Sequence, residues 1–285
     1  MFRVLATHHS YWASASKAPL EQRFDALDRE LSTDVAIIGA GITGLSVALE
    51  LLRSGKQVAV CEASVIGAGT TGGSTGHLDA HPEMGPAALI DKLGVEKARE
   101  YVGLRLAAIE TIEQRCGGSC GFRRVPAYYY SESHSDRDQL QAECAAAADI
   151  GLVAEWKSQM PLKHAACGYQ IGGMAEFDAL AYLDRLAQLV IDAGGHIFEN
   201  TQVAAPTSAH PQSLPAGDGT VRFEHLVCAA HSNYSDVLRV DVQIPAYQSY
   251  VMAAVVSDPP PASLYWDNAD PYFYIRRVAA DQDLV

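Results

Sequence analysis

The sequence predicts an α/β chain organised around a dinucleotide-binding β-α-β unit, and three observations carry that prediction. The first is Asp34-Val35-Ala36-Ile37-Ile38, a short and nearly continuous apolar run rich in β-branched residues. Such a run fits a strand buried on both faces of a parallel sheet. The second is Gly39-Ala40-Gly41-Ile42-Thr43-Gly44, a G-x-G-x-x-G turn that leads into the helical stretch Leu45–Leu52, closed by Gly55. The third is a second strand, Gln57–Cys61, that ends on a carboxylate, Glu62, 21 residues after Gly41. Alone the glycine pattern is weak; between a strand and a helix, with an acid at that spacing, it is specific.

Each part of the unit has a chemical reason. Gly39 permits the tight turn, Gly41 lets the backbone approach a pyrophosphate, and Gly44 allows close helix–strand packing. The helix start, with Thr43 in its first turn, offers N–H groups and positive dipole to phosphate oxygens. Glu62 can accept hydrogen bonds from both ribose hydroxyls of an adenosine. It would repel a 2′-phosphate, and Ala63 rather than an arginine follows it, so NADP is disfavoured. FAD and NAD remain. The next segment, Val65–His77, favours FAD: Gly69, Thr70, Thr71, Gly72 and Ser74 form a glycine- and hydroxyl-rich loop. Backbone donors and hydroxyls there can come close to a flat polar ring system, whereas an NAD-binding domain would start an ordinary helix.

The remaining elements follow in order. Residues 1–32 read as a polar arm, extended with a short helix, containing Ser10-Tyr11-Trp12. Beyond the glycine-rich loop, Val95–Arg115 has helical apolar spacing, and an alanine-rich helix over 136–149 begins after Ser135, its predicted cap. Val125–Tyr130, Leu152–Glu155 and Gly168–Ile171 read as short strands, with Tyr128-Tyr129-Tyr130 placing aromatics on both faces. Phe177-Asp178 opens a third helix, Ala179–Asp192, closed by Gly194-Gly195. His196–Phe198 and Gln202-Val203 are strand-like, residues 204–219 a loop or hairpin tip, and Val221–Phe223 and Leu226–Ala229 two further strands. Gln243–Val256 and Tyr272–Val278 read as sheet. The predicted division is an arm over 1–32, a dinucleotide-binding domain from 33–94 and 175–240, and a substrate domain from 95–174 and 241–285.

At 285 residues, 48% hydrophobic and 19% charged, this is an ordinary globular composition. A net charge of −13 disfavours nucleic acid and anionic membrane surfaces as partners. The longest apolar stretches, Val35–Ala40 and Leu186–Ala193, are too short to span a bilayer, which takes about 20 residues. Met1–Ser16 carries no signal-peptide pattern. Six scattered cysteines, of which Cys116 and Cys120 alone lie close, suggest reduced thiols, a cytoplasmic protein and no metal site.

Together these features resemble the D-amino-acid-oxidase/glycine-oxidase superfamily of FAD-dependent oxidoreductases, over nearly the whole chain from Ser10 to Leu284. The leader and the segment Asp34–Ser46 look like the branch of the gamma-glutamylputrescine oxidases. The tail, Pro245–Val251 with Pro271–Arg276, looks more like the branch whose members carry an appended Rieske domain. The resemblance implies a glutathione-reductase-type FAD-binding Rossmann domain interleaved with a mixed-sheet substrate domain. It implies that Gly39, Gly41, Gly44 and Glu62 hold the ADP portion, that Thr70, Thr71 and Gly72 approach the flavin, and that Val203 offers backbone groups to the adenine. It returns Ala229, Ala230 and His231 to the pyrophosphate side. Gly73 and Ser74 stand where the family commonly has Arg and Asn, a departure in the flavin loop. The family also supplies further substrate sheet and a closing glycine-rich segment, so the chain is expected to be a partial sequence of a longer enzyme. No Cys-x-His pair for a Rieske cluster is present.

By the same resemblance, the expected reaction oxidises a carbon–nitrogen single bond of a small amine or amino acid by hydride transfer to flavin, with oxygen or an electron-acceptor protein taking the electrons. Candidates to orient the substrate are Tyr250, Tyr272, Tyr274 and Arg276. Strand alternation would put Tyr272, Tyr274 and Arg276 on one face, where the arginine could grip a carboxylate bidentately. His77, directly after the flavin loop, could sit over the ring or anchor it. Two alternatives stay open: a truncated, non-catalytic dinucleotide-binding fragment, and an NAD-dependent dehydrogenase.

Overall fold

The computed structural model describes residues 3–4, 11–12, 22–206, 211–231 and 250–278. These fall into two compact units, and the chain passes between them after Ala6, Thr75, Phe177 and Tyr250.

The unit holding the described residues of Thr7–Thr75 and Asp178–Tyr250 contains a five-stranded sheet. Its strands run in the order His196–Phe198, Val58–Cys61, Glu30–Ile38, Gly219–Cys228 and Ser213–Ala216. The first four are mutually parallel, and Ser213–Ala216 pairs antiparallel at the edge. The central strand begins at Glu30, earlier than Asp34, because its polar first half lies along Thr220–Phe223. Its far end, Val35–Ile38, is buried throughout, as the apolar run predicts. Gly219–Cys228 is one strand where the sequence suggested two. Glu224 and His225 read as a break, yet the parallel neighbour continues past them, with His225 opposite Val35. Residues 204–219 include the predicted hairpin: Ser213–Ala216 turns back on Gly219–Arg222.

Helix Ile42–Arg53 buries Leu45, Ala48 and Leu49, and helix Ala179–Asp192 buries Leu183, Leu186 and Val190. The two pack together. Each of the buried leucines and the valine contributes roughly 1.5–3 kcal/mol relative to exposure. The second helix starts where Asp178 caps it, its Oδ1 accepting from the amides of Leu180 (2.9 Å) and Ala181 (3.0 Å). Under the other sheet face, Ala36, Ile38, Cys61, Phe198, Val221 and Phe223 join one core.

The other unit, with the described residues of Met1–Ala6, Gly76–Phe177 and Val251–Val285, is built on a mixed five-stranded sheet. Its order is Tyr274–Arg276, Leu264–Asp267, Ala127–Ser131, Cys167–Ile171 and Ala154–Lys157. Only the Leu264–Asp267 and Ala127–Ser131 pair is parallel. A smaller sheet joins His77–Leu78, Ala175–Glu176 and Arg123–Arg124, and Arg3–Val4 pairs with Ala254–Val255. Helices Val95–Cys116 and Arg137–Asp149 lie where their periodicity puts them.

Four sequence readings change in this unit. A helix, Pro86–Leu93, was not expected: Gly85-Pro86 looks like punctuation, but proline is well suited to a first helical position. The predicted cap Ser135 is instead the residue capped. Its amide donates to Ser133 Oγ at the start of a 3₁₀ turn over His134–Asp136. The buried strand Leu264–Asp267 was missed. Residues 243–249, predicted as sheet, lie outside the described residues, and Tyr272–Val278 narrows to Tyr274–Arg276. Tyr128-Tyr129-Tyr130 does present both faces: Tyr129 packs on one core, and Tyr130 joins Tyr265 and Leu162 in another.

Candidate functional site

A cleft of about 590 Å³ opens at the ends of the parallel strands, the usual ligand position in such sheets. Gly39 turns the chain off its strand at φ +99°, and a Cβ there would stand 2.6 Å from the Ala229 carbonyl. A Cβ on Gly44 would meet the Gly39 carbonyl at 1.9 Å, so only glycine lets the helix start this close to the strand. Gly41 is the residue before the helix and has no side chain of its own to cap it. Thr71 comes to the same helix end, its Oγ1 accepting from the Ile42 amide at 3.3 Å.

Glu62 closes the opposite wall. Its Oε2 accepts from Ala40 N (2.9 Å) and its Oε1 from Ser64 N (3.0 Å), which fixes the carboxylate beside the glycine turn. The glycine-rich loop is folded: Thr70–Gly73 form a 3₁₀ turn, and Trp12, buried, donates from Nε1 to the Ser74 carbonyl at 2.7 Å.

Of the residues predicted to hold a dinucleotide, Gly39, Gly41, Thr43, Glu62, Ala63, Gly69, Thr70, Thr71, Val203, Ala229, Ala230 and His231 line this one cleft. Gly44, Gly72 and Ser74 do not. Gly44 and Gly72 are packed beneath the turns that shape it, and Ser74 faces Trp12 through its carbonyl. His231 adopts φ +66°, and Val203 bridges to Ala216.

Sequence reasoning missed Ile38, Cys61 and Thr201 on the cleft wall, which Ile42, Gly67 and Cys228, inside the predicted turn, loop and return segment, also line. Burial pushes the Cys61 thiol up to about 12, so it is a packing group there. It also missed Glu199. This fully buried carboxylate accepts from the amides of Arg23, Phe24 (3.0 Å) and Ile66 (2.7 Å), tying the start of the glycine-rich loop to the strand end. An acid after Phe198 gives no sequence signal for that role.

In the other unit a separate cavity of about 220 Å³ is lined by Asp79, His81, Glu83, Arg105, Tyr129, Trp266, Asp267, Asn268, Ala269, Tyr272 and Tyr274. His81 Nε2 lies 2.8 Å from the Tyr169 hydroxyl. Burial, with Arg105 adding to it, pushes His81 down to about 3. Burial raises Asp79, against the pull of Arg105.

The predicted substrate-orienting residues are not gathered in one place. Tyr274 lines this cavity and its ring lies 5.2 Å from that of His77. Tyr272 lines it too, but Arg276 does not: it is 7% exposed, with Nη1 donating to the carbonyls of Gly76 (2.8 Å) and Phe177 (3.3 Å) and Nε 3.4 Å from Glu176. The reason is strand geometry: Arg276 turns inward onto the small sheet, where Arg123 also meets Glu176. The expected carboxylate grip is therefore corrected to an internal ion-pair role. His77 is buried, and burial and then Arg276 push it down to about 3. Tyr250 is 89% exposed and lines neither cavity.

Residues 34–285 match the family described as FAD dependent oxidoreductase (DAO), and the chain belongs to that family. Among curated relatives, a protein of Bacillus subtilis (strain 168) that carries the name Rieske 2Fe-2S iron-sulfur protein YhfW is 25% identical over 80% of this chain and 45% of its own. Gamma-glutamylputrescine oxidoreductase of Escherichia coli (strain K12) is 36% identical over 38% of this chain and 25% of its own. The matched stretches thus cover less than half the length of these relatives. The crystal structure of glycine oxidase from Geobacillus kaustophilus superposes with a TM-score of 0.62 at 20% identity, covering 88% of this chain and 75% of that one. The fold is of that mixed α/β kind. The family's cofactor is FAD, and the nicotinamide alternative falls away.

The cleft fits FAD on its own terms. A glycine cradle that a Cβ would fill, a helix that starts on a glycine with no side chain in the way and a fixed carboxylate are what a pyrophosphate and an adenosine ribose need. Among the described residues no group of three or more His, Cys, Asp or Glu could hold a metal ion, and no helix is long and apolar enough to cross a membrane.

Proposed function

We propose that this chain binds FAD in the Gly39–Glu62 cleft and serves the oxidation of a carbon–nitrogen single bond in a small amine or amino acid. The observation that carries the reading is the convergence on one cleft of the glycine cradle, Glu62 and the folded Thr70–Gly73 turn. In this reading the helix start at Gly41 and Ile42 receives the pyrophosphate, Glu62 the adenosine ribose, and Val203 the adenine edge. Thr70 and Thr71 approach the flavin side, with Gly72 and Ser74 supporting their turn. When bound, the flavin supplies a two-electron acceptor for hydride. His77 stays neutral near pH 7, so its part is packing and hydrogen bonding, not charge. Oxygen or an acceptor protein removes the electrons.

The test is the visible spectrum of the purified chain after FAD is added and excess removed. Flavin bands retained by the protein, and bleached anaerobically by an amine or amino acid, support the proposal. Retained bands that no amine or amino acid bleaches leave a flavin-binding chain without the activity; a protein that keeps no flavin and binds no ADP overturns the reading altogether.

A further inference from the structure

We propose that the cavity walled by Tyr129, Trp266 and Tyr274 is a cation subsite, and that the amine it accepts carries an ammonium group there and no carboxylate within the few carbons that the cavity encloses. This rests on the function proposed above and narrows its substrate class.

The ring of Trp266 lies 6.2 Å from Tyr129 and 6.3 Å from Tyr274, so three π systems border one small space. A cation held over the face of any such ring is attracted to it. Three carboxylates line the same space: Asp79, Glu83 and Asp267. The buried Asp267 has its Oδ1 fixed by the Phe273 amide at 2.9 Å. Arg105 is the one guanidinium among the lining residues, and it is turned to Asp79, donating to that carbonyl from Nε (3.2 Å) and Nη2 (3.1 Å). His81 adds no charge near neutral pH. The wall therefore carries a net negative charge that a carboxylate would oppose and an ammonium would complement.

Arg276, whose position in the sequence suggested a carboxylate grip, is held on the Gly76 and Phe177 carbonyls and does not line the cavity. The volume, about 220 Å³, lies below that of a drug-sized site and suits an alkylammonium chain of a few carbons.

Calorimetric titration of the full chain, with FAD added, tests this with 1,4-diaminobutane, 4-aminobutanoate and glycine as probes. The diamine should bind saturably, and the other two at least about tenfold more weakly. Asp267→Asn should weaken the diamine about tenfold. Glu83→Gln, at an exposed position, should weaken it about threefold. FAD binding should be unchanged in both variants. Equal affinity for 4-aminobutanoate or glycine, no saturable diamine signal, or unchanged diamine affinity in both variants overturns the subsite. FAD retained with the diamine silent would sink the subsite alone; the diamine bound with FAD refused would sink the flavin reading alone.

Discussion

Gly44 shows how one missing atom can set a site. Its would-be Cβ lies 1.9 Å from a backbone oxygen, and backbone cannot swing aside as a side chain can. Gly44→Ala should therefore cost about 1–3 kcal/mol in stability, the range for overpacking a tight contact, and should lose ADP binding more than in proportion, because the displaced atoms belong to the cradle proposed for phosphate. Urea unfolding and ADP calorimetry check this; a variant that binds ADP like the parent would refute the cradle. His77 and His81 lead to a prediction in pH. Both sit near 3 in the folded protein against 6.5 when unfolded. Between those values the unfolded chain binds more protons, so their stabilising contribution is complete above about pH 6.5 and is lost as pH falls toward 3. Each can steepen the loss by up to about 1.4 kcal/mol per pH unit. His81→Phe forfeits the bond to Tyr169 and should be less stable at pH 7, yet should lose less between pH 7 and 5 than the parent. Parallel losses in urea midpoints would show that His81 does not titrate in that window.

At the scale of elements, the glycine-rich loop depends on partners that are remote in sequence. Glu199 receives amides from Arg23, Phe24 and Ile66, so it joins the chain before the central strand, the loop after Glu62 and the end of the strand His196–Phe198. Glu199→Gln replaces one accepting oxygen with a donor facing donors and should cost about 1–3 kcal/mol. It should also raise proteolytic cutting within 63–75, measured by limited digestion and mass spectrometry; unchanged cutting there would leave Glu199 a packing group only. What was legible in the sequence were elements whose signals are local. The apolar run before Gly39, the Gly39–Gly44 turn with Glu62, and Asp178 ahead of Ala179–Asp192 each announce themselves within a few residues. What was not legible depends on partners far along the chain. Leu264–Asp267 is four residues beside a proline run, and becomes a strand because Ala127–Ser131 is there to pair with it. Gly219–Cys228 runs unbroken because its parallel neighbour does. Arg276 looked like a substrate ligand because alternation gives a face, not what that face meets. The carboxylate–aromatic cavity was missed for the same reason: Asp79, Tyr129 and Trp266 come from three separate stretches.

At the scale of the whole molecule, net charge makes a prediction that separates the two proposed ligands. The chain carries −13. Its long-range field opposes the approach of an anionic dinucleotide and favours that of a cationic amine, whatever the local contacts supply once either arrives. Added salt screens that field, with a Debye length of about 10 Å at 0.1 M and about 30 Å at 0.01 M. Raising ionic strength across that range should therefore speed association of FAD and slow association of 1,4-diaminobutane. The bound states respond differently, because a ligand at the helix start or in the cavity beside Trp266 and Tyr274 interacts over distances shorter than the Debye length. Dissociation rates should change less than association rates for both. Stopped-flow mixing at 0.01 M and 0.1 M salt, followed through flavin and tryptophan fluorescence, measures all four rates. If both associations slowed with salt, the dinucleotide would be steered by a local positive field that outweighs the net charge. The helix start at Gly41, not the overall acidity, would then govern how the cofactor finds its cleft.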